Sequence, residues 1–125
     1  MDYNFEINDF INGYITCALW SSTDDAGDPL DGNYDKSDIE DESLYAMVID
    51  CYNFFRENEA AWIENGHYSS ERAGHDFWLT RNRHGAGFWD RDELPEVIGE
   101  VLTNNSEGYG EANLLVGDNG KLFYS

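Results

Sequence analysis

The chain has 125 residues and a formal net charge of −19, with 26 acidic and only 7 basic side chains. This length fits one domain with a single core, for which 41% hydrophobic and 15% aromatic residues supply the material. The charge excludes a conventional nucleic-acid-binding protein, which needs a basic face, and it disfavours attachment to an anionic membrane. No stretch approaches the ~20 apolar residues of a membrane span, and residues 1–6 lack the features of a secretory signal, so we expect a soluble intracellular protein.

The first half of the chain predicts two helices separated by a loop. Apolar residues recur at helical spacing over residues 8–21, and an Asp- and Gly-rich loop follows from Ser22 to Lys36. The sequence Ser37-Asp38-Ile39-Glu40 has the pattern of a capping box and predicts the start of the second helix. An apolar stripe continues to Trp62, and Asn65-Gly66 is a suitable stop.

The second half predicts two hairpins with a helix between them. Residues 76–81 and 87–90 flank a polar turn and predict the first hairpin. Residues 93–102 have apolar side chains at helical spacing. Residues 113–116 and 121–124 flank a turn that contains Asn-Gly, the strongest short hairpin signal.

The predicted order of elements is therefore α-α-β-β-α-β-β. We expect a single compact α+β domain over residues 1–125, in which helices cover one face of a small antiparallel sheet. Cys17 and Cys51 lie on the apolar faces of the first two helices. They are expected to be buried reduced thiols, and a disulfide between the helices is the alternative.

Charge is distributed unevenly along the chain. Residues 24–42 contain nine acidic side chains and one basic side chain, Lys36. Residues 71–91 contain three acidic side chains and four of the seven basic ones. The sequence therefore predicts an acidic surface and a separate patch that is close to neutral.

Carboxylates held on a rigid surface at intervals of several ångströms can reproduce the field of a phosphate backbone. Such a surface would bind the DNA-binding groove of another protein and be steered there by its charge. The spacing of the acids is not that of a calcium-binding loop, so we expect a solvated loop without a metal or other cofactor. The candidate partner-binding residues are Asp24, Asp25, Asp28, Asp31, Asp35, Asp38, Glu40, Asp41 and Glu42.

The first predicted hairpin carries the other candidate residues. Arg81, Arg83, His84 and Trp89 are a possible secondary contact, since Trp and Arg are favoured at interfaces. A small hydrolase that uses His75, Asp76 and His84 is a further alternative, although no nucleophile motif or phosphate loop accompanies them. Cross-strand pairs between Arg and Asp are also common structural features, which leaves a purely structural role open.

One long string of residues carries a family resemblance. It reads Gly74-His75-Asp76-Phe77-Trp78-Leu79-Thr80-Arg81-Asn82-Arg83-His84-Gly85-Ala86-Gly87-Phe88-Trp89-Asp90-Arg91. This string resembles a signature of a family of small proteins encoded by tailed phages and related mobile elements. The likeness extends to residues 18–25, 29–31 and 115–121. The resemblance implies a phage accessory protein in the cytoplasm of the bacterial host, without implying a mechanism.

Together, these observations predict a phage-encoded anti-defence protein rather than an enzyme. It would inhibit a host DNA-binding enzyme, such as a CRISPR effector or a restriction nuclease, by mimicking the charge of DNA. The main alternative is an adaptor or regulator that binds a host protein through the hairpin at residues 76–91. The sequence identifies neither the partner nor the oligomeric state.

Overall fold

The computed structural model describes residues 3–125, with side chains from Phe5 onward. Residues 1 and 2, part of the stretch considered above for a secretory signal, lie outside the described residues. Four helices precede a two-stranded antiparallel sheet, so the α+β class is confirmed. The elements are α1 (Tyr3–Ser21), α2 (Asp41–Asn58), α3 (Ser70–Arg81), α4 (Glu96–Glu107), β1 (Leu114–Val116) and β2 (Leu122–Tyr124).

Two glycines allow α1 and α3 to pack unusually closely. A Cβ atom at Gly74 would lie 1.9 Å from the carbonyl oxygen of Phe10, and one at Gly13 would lie 1.9 Å from that of Glu71. Neither distance is compatible with a side chain. The sequence therefore places a glycine on each helix at the point where the two backbones meet.

Aromatic side chains from three helices form the centre of the core. The rings of Phe54 in α2 and Phe77 in α3 are stacked, with centroids 4.1 Å apart. Phe10 in α1 packs on Phe54 at 5.9 Å, and Phe88 packs on the same ring at 5.9 Å. All four side chains are fully buried, so this cluster joins α1, α2 and α3.

The prediction of a first hairpin at residues 76–90 is wrong. Residues 76–81 form the second half of α3, and Phe88–Asp90 form a 3₁₀ turn. The helix begins after Ser69, whose hydroxyl accepts a hydrogen bond from the backbone N–H of Arg72. It is buried on almost every side, so its apolar residues do not follow the one-sided period that identifies a surface helix.

The second predicted helix begins and ends inside its expected limits. Lys36–Asp38 form a 3₁₀ turn that carries its own capping box, and α2 starts after Glu40. The helix ends at Asn58, well before the predicted stop, because Glu59–Ala61 form another 3₁₀ turn. The predicted core position of Trp62 is nevertheless confirmed, since its side chain is buried.

The fourth helix runs later in the chain than its apolar spacing predicts. It starts after Pro95 and continues to Glu107. Leu94 and Leu102 are buried as expected, but Val97 and Val101 are exposed. The apolar spacing in this segment therefore predicts a wider buried face than the helix has.

The last hairpin is confirmed. β1 pairs with β2 in the register Leu114↔Tyr124, Leu115↔Phe123 and Val116↔Leu122. Gly120 in the connecting turn has a φ of 78°, a conformation that favours glycine. The hairpin packs on α2, where the Ser43 hydroxyl accepts a hydrogen bond from the Tyr124 backbone N–H at 3.0 Å.

Both cysteines are buried and free, as the sequence predicts. Burial raises the pKa of the Cys17 thiol to about 12 and also raises the pKa of the Cys51 thiol. Both side chains therefore act as small apolar groups in the core. Within residues 3–125, no helix combines the length and apolar character needed to cross a membrane.

Candidate protein-binding surface

The nine acidic residues between positions 24 and 42, here called the acidic surface, lie on an ordered segment. An antiparallel bridge between Thr23 and Pro29 closes the loop. Within it, the backbone N–H of Asp24 donates to the carbonyl oxygen of Asp28 at 2.9 Å. The buried side chain of Leu30 anchors the end of the loop in the core. The acidic surface therefore has a defined shape.

Four of the nine carboxylates stabilise the backbone that carries them. Asp24, Asp35 and Asp38 accept hydrogen bonds from nearby backbone N–H groups at 2.8 to 3.0 Å. Glu40 accepts two such bonds, each 3.1 Å long, at the first turn of α2. Hydrogen bonds from the hydroxyl and backbone N–H of Ser37 lower the pKa of Asp35. These four residues have a structural role in addition to their charge.

The other five carboxylates of the acidic surface belong to exposed residues. They form no hydrogen bond or ion pair with any other described side chain or backbone group, and all five residues are exposed. Their charge is therefore available to a binding partner. These five free carboxylates belong to Asp25, Asp28, Asp31, Asp41 and Glu42.

The four arginines of residues 71–91 are all paired with carboxylates. The pairs are Arg72–Glu93, Arg81–Asp50, Arg83–Glu107 and Arg91–Asp76. Three of these four partners, Glu93, Asp50 and Glu107, lie outside the 71–91 segment. The four arginines of this nearly neutral patch are therefore each paired with a carboxylate in the fold.

Arg81 lies at the centre of a buried polar cluster. Its Nη1 atom is 2.9 Å from a carboxylate oxygen of Asp50 in α2 and 3.0 Å from the hydroxyl of Tyr14 in α1. The same nitrogen is 2.9 Å from the hydroxyl of Tyr124 in β2, while Nε donates to the carbonyl oxygen of Gly110 at 2.8 Å. The pKa of Arg81 is raised because its polar neighbours outweigh the opposing effect of burial.

This location changes the role that the sequence suggested for Arg81. Its side chain is only 6% exposed, so a binding partner cannot contact it on the protein surface. Arg81 therefore does not belong to the predicted secondary contact, which retains Arg83, His84 and Trp89. Arg81 instead connects three helices with the terminal sheet.

Asp76 forms the second buried polar cluster. Arg91 donates to both carboxylate oxygens of Asp76, with contacts from 2.7 to 3.1 Å. The hydroxyl of Tyr68 donates to the same carboxylate at 2.5 Å. The Asp76 side chain is fully buried, and the hydrogen bond to it contributes most to the raised pKa of Arg91. The cluster fixes the chain that returns from α3 to α4.

The three side chains considered for hydrolysis do not form one site. Asp76 already accepts hydrogen bonds from Tyr68 and Arg91. His75 lines a groove of about 450 Å³ between α1 and α3, whereas His84 lines a different cleft. Burial is the largest cause of the lowered pKa of His75. The structure therefore does not bring the two histidines together.

The remaining secondary-contact residues are exposed. The Arg83 side chain is largely accessible and forms a long 3.4 Å ion pair with Glu107. His84 and Trp89 are also exposed. A small surface remains at the end of α3 and at the following 3₁₀ turn, but it is not a hairpin.

Sequence reasoning missed an exposed apolar stripe on α2. Tyr45, Ile49 and Tyr52 are all exposed, and they lie on the side of the helix away from the core. Their positions differ by four and three residues, which is a helical spacing. That spacing was visible in the sequence, but the stronger apolar stripe on the buried face obscured it.

Among residues 3–125, no group of three His, Cys, Asp or Glu side chains is arranged to hold a metal ion. No protein-family model matches the chain, no curated protein is detectably similar to it, and no solved structure matches it. The resemblance of residues 74–91 to a phage protein signature therefore stays a prediction.

Proposed function

We propose that this chain is a non-enzymatic inhibitor that occupies the nucleic-acid groove of a DNA-binding enzyme. In this proposal, carboxylates of the acidic surface take the places of DNA phosphates. The observation that carries the proposal is the ordered acidic surface with its five free carboxylates. No bound cofactor is required.

The order of the acidic surface favours binding. The hydrogen bonds that Asp24, Asp35, Asp38 and Glu40 accept from nearby backbone N–H groups fix the segment before any partner arrives. A surface that is already ordered loses less conformational entropy on association than a flexible acidic tail does. The five free carboxylates are consequently presented at fixed relative positions.

The charge distribution supports the same proposal. A net charge of −19 produces a field that steers the protein towards a cationic groove. Because each arginine of residues 71–91 is paired with a carboxylate, these arginines contribute no unpaired basic patch that would oppose this attraction.

The biological setting in the proposal depends on the sequence resemblance. A protein encoded by a tailed phage would meet restriction nucleases and CRISPR effectors in the cytoplasm of its bacterial host. Both kinds of enzyme bind DNA phosphates through basic grooves. We therefore propose an anti-defence role, with one of these enzymes as the partner.

The proposal is tested by titrating the protein into complexes of labelled duplex DNA with purified restriction nucleases and CRISPR effectors. We expect displacement of the DNA from at least one of these enzymes, and displacement should weaken as salt rises. If the protein displaces DNA from none of the enzymes in the panel, the proposal is overturned. If Trp89→Ala and Arg83→Ala abolish binding while loss of acidic charge does not, the alternative of an adaptor is correct.

Two variants with equal net charge sharpen this test. The first variant replaces the five free carboxylates by Asp25→Asn, Asp28→Asn, Asp31→Asn, Asp41→Asn and Glu42→Gln. The control replaces five other exposed acids by Glu64→Gln, Asp92→Asn, Glu100→Gln, Glu111→Gln and Asp118→Asn. Both variants lose the same charge, so we expect the first to bind at least about tenfold more weakly than the control. Equal binding would show that only the total charge matters.

A further inference from the structure

A stripe of apolar side chains on α2 is exposed to solvent. The side chains of Tyr45, Ile49 and Tyr52 are 69%, 39% and 51% exposed. The opposite face of the same helix, which includes Met47 and Phe54, is fully buried. The helix therefore presents an apolar face to the core and a second, narrower one to solvent.

Opposite charges lie at the two ends of this stripe. Asp41 is one turn before Tyr45 and is one of the five free carboxylates, and Arg56 is one turn after Tyr52. At about 100° per residue, these residues and Ile49 share an arc of about 80°. The guanidinium of Arg56 lies 5.7 Å from the centre of the Tyr52 ring, which holds the cation at the end of the stripe.

Read in reverse, the stripe keeps its apolar order of tyrosine, isoleucine and tyrosine but exchanges its acid for its base, so it is complementary to an antiparallel copy of itself. From Asp41 the order is acid, tyrosine, isoleucine, tyrosine and base, at steps of four, four, three and four residues. We propose that α2 pairs with α2 of a second copy of this chain, antiparallel about a two-fold axis. Asp41 of each copy then faces Arg56 of the other, Tyr45 faces Tyr52, and Ile49 lies near the axis. The same patch serves both copies, as a two-fold interface requires.

Antiparallel pairing also separates the acidic surfaces of the two copies. The acidic surface of each copy adjoins the first turn of α2. A helix of 18 residues is about 27 Å long, so the two acidic surfaces lie at opposite ends, farther apart than the Debye length of about 8 Å at physiological salt. A parallel pair would place them side by side.

The pairing is expected to be weak and reversible. Its contact is one narrow stripe, which belongs to the smallest class of specific interfaces. The charge of −19 on each copy opposes association at long range. Salt screens both this repulsion and the two attractions between Asp41 and Arg56. Because the repulsion involves many more charges, dimerisation should strengthen as salt rises. Asp41 belongs to both proposed surfaces, but the proposed complex with a DNA-binding enzyme should respond to salt in the opposite direction, so a salt series distinguishes the two proposals.

The test is sedimentation velocity over a concentration series at about 0.1 M and about 0.5 M salt, where the Debye length falls by about half. We expect a reversible equilibrium between monomer and dimer that shifts towards dimer at the higher salt. A protein that remains monomeric at every concentration in both buffers would overturn the proposal without any mutation. A dimer that dissociates as salt rises would overturn it as well.

Two sets of variants locate the interface. We expect Tyr45→Ser to abolish the dimer, whereas Val97→Ser should leave it unchanged, since Val97 is 68% exposed but lies on α4.

Asp41→Arg should weaken dimerisation about tenfold even though it reduces the net repulsion, because both symmetric contacts then juxtapose like charges. Combining it with Arg56→Asp should restore the dimer. Retention of the dimer in Tyr45→Ser would overturn the proposal, as would a charge-reversed double variant that is no better than Asp41→Arg. If Tyr45→Ser instead weakens only the binding of a DNA-binding enzyme, the stripe belongs to that interface.

Discussion

Residues 24–42 and residues 74–91 use charged side chains in opposite ways. In the acidic surface, charged groups are exposed to solvent or cap nearby backbone, and five carboxylates form no hydrogen bond or ion pair with the described residues. In residues 74–91, the principal charged groups point inward, where Arg81 and Asp76 each organise a buried cluster. The first segment is therefore suited to binding, whereas most of the second serves to build the fold.

This difference gives the long string that carries the family resemblance a structural explanation. Gly74 allows α1 to approach α3, and the hydroxyl of Thr80 accepts a hydrogen bond from the backbone N–H of Phe88. Gly87 lies against Thr80, where a Cβ atom would be 2.3 Å from the hydroxyl oxygen. Packing therefore accounts for the buried residues of this string without any assumption about function. It does not account for Arg83, His84 and Trp89, which are exposed.

The largest expected effect comes from the buried arginine of the second segment. Arg81→Met should reduce the free energy of unfolding by about 3–5 kcal/mol, because it leaves Asp50 and the hydroxyls around it without their cation. Arg83→Met removes the same charge from an exposed side chain, so the change should stay within about 0.5 kcal/mol. Urea denaturation followed by tryptophan fluorescence measures both values. Equal effects at the two positions would contradict the assignment of Arg81 to a buried cluster.

A smaller effect should separate the two kinds of carboxylate within the acidic surface. Glu40→Ala removes the side chain that caps α2 and should cost about 1 kcal/mol of stability. Glu42→Ala removes a free carboxylate from the first turn of the same helix. It should cost only about 0.3 kcal/mol of stability, because only the interaction of the carboxylate with the helix dipole is lost. Thermal unfolding at one pH compares them. If Glu42→Ala is the more destabilising variant, the division into capping and free carboxylates is wrong.

Much of the fold was accessible from the sequence, because local patterns and the fold agree in most elements. The apolar spacing in α1 and the Asn-Gly turn of the last hairpin lead to the observed structure. The main error, at α3, arose because a helix buried on nearly every side lacks a polar face, so its aromatic residues resemble a strand. Ser69 was an available N-cap signal that predicts the helix start.

The candidate sites were less accessible than the fold. The charge imbalance of residues 24–42 is a local property, and the sequence is sufficient to find it. The pairing of Arg81 with Asp50 and Tyr124 depends on side chains 31 and 43 positions away, which no local pattern connects. For the same reason, the sequence could not separate buried arginines from exposed ones.

The smallest expected effect concerns the histidine beside the Asp76 cluster. Burial lowers the pKa of His75, so the native state binds fewer protons than the unfolded chain as the pH falls through about 6.5. Stability should consequently decrease below this pH, and His75→Gln should remove that part of the slope. The control His84→Gln, at an exposed position, should retain it. Urea midpoints between about pH 5 and about pH 8 provide the measurement, and identical slopes in wild type and His75→Gln would contradict the expectation.

The most direct test of the central claim is the salt dependence of binding to a DNA-binding enzyme. The slope of log Kd against log salt concentration is measured for the wild type, the variant that lacks the five free carboxylates, and the control variant of equal net charge. The account predicts that only the loss of the five free carboxylates makes the slope markedly shallower. A slope that is the same for both variants would contradict it, because the binding energy would then not come from the acidic surface.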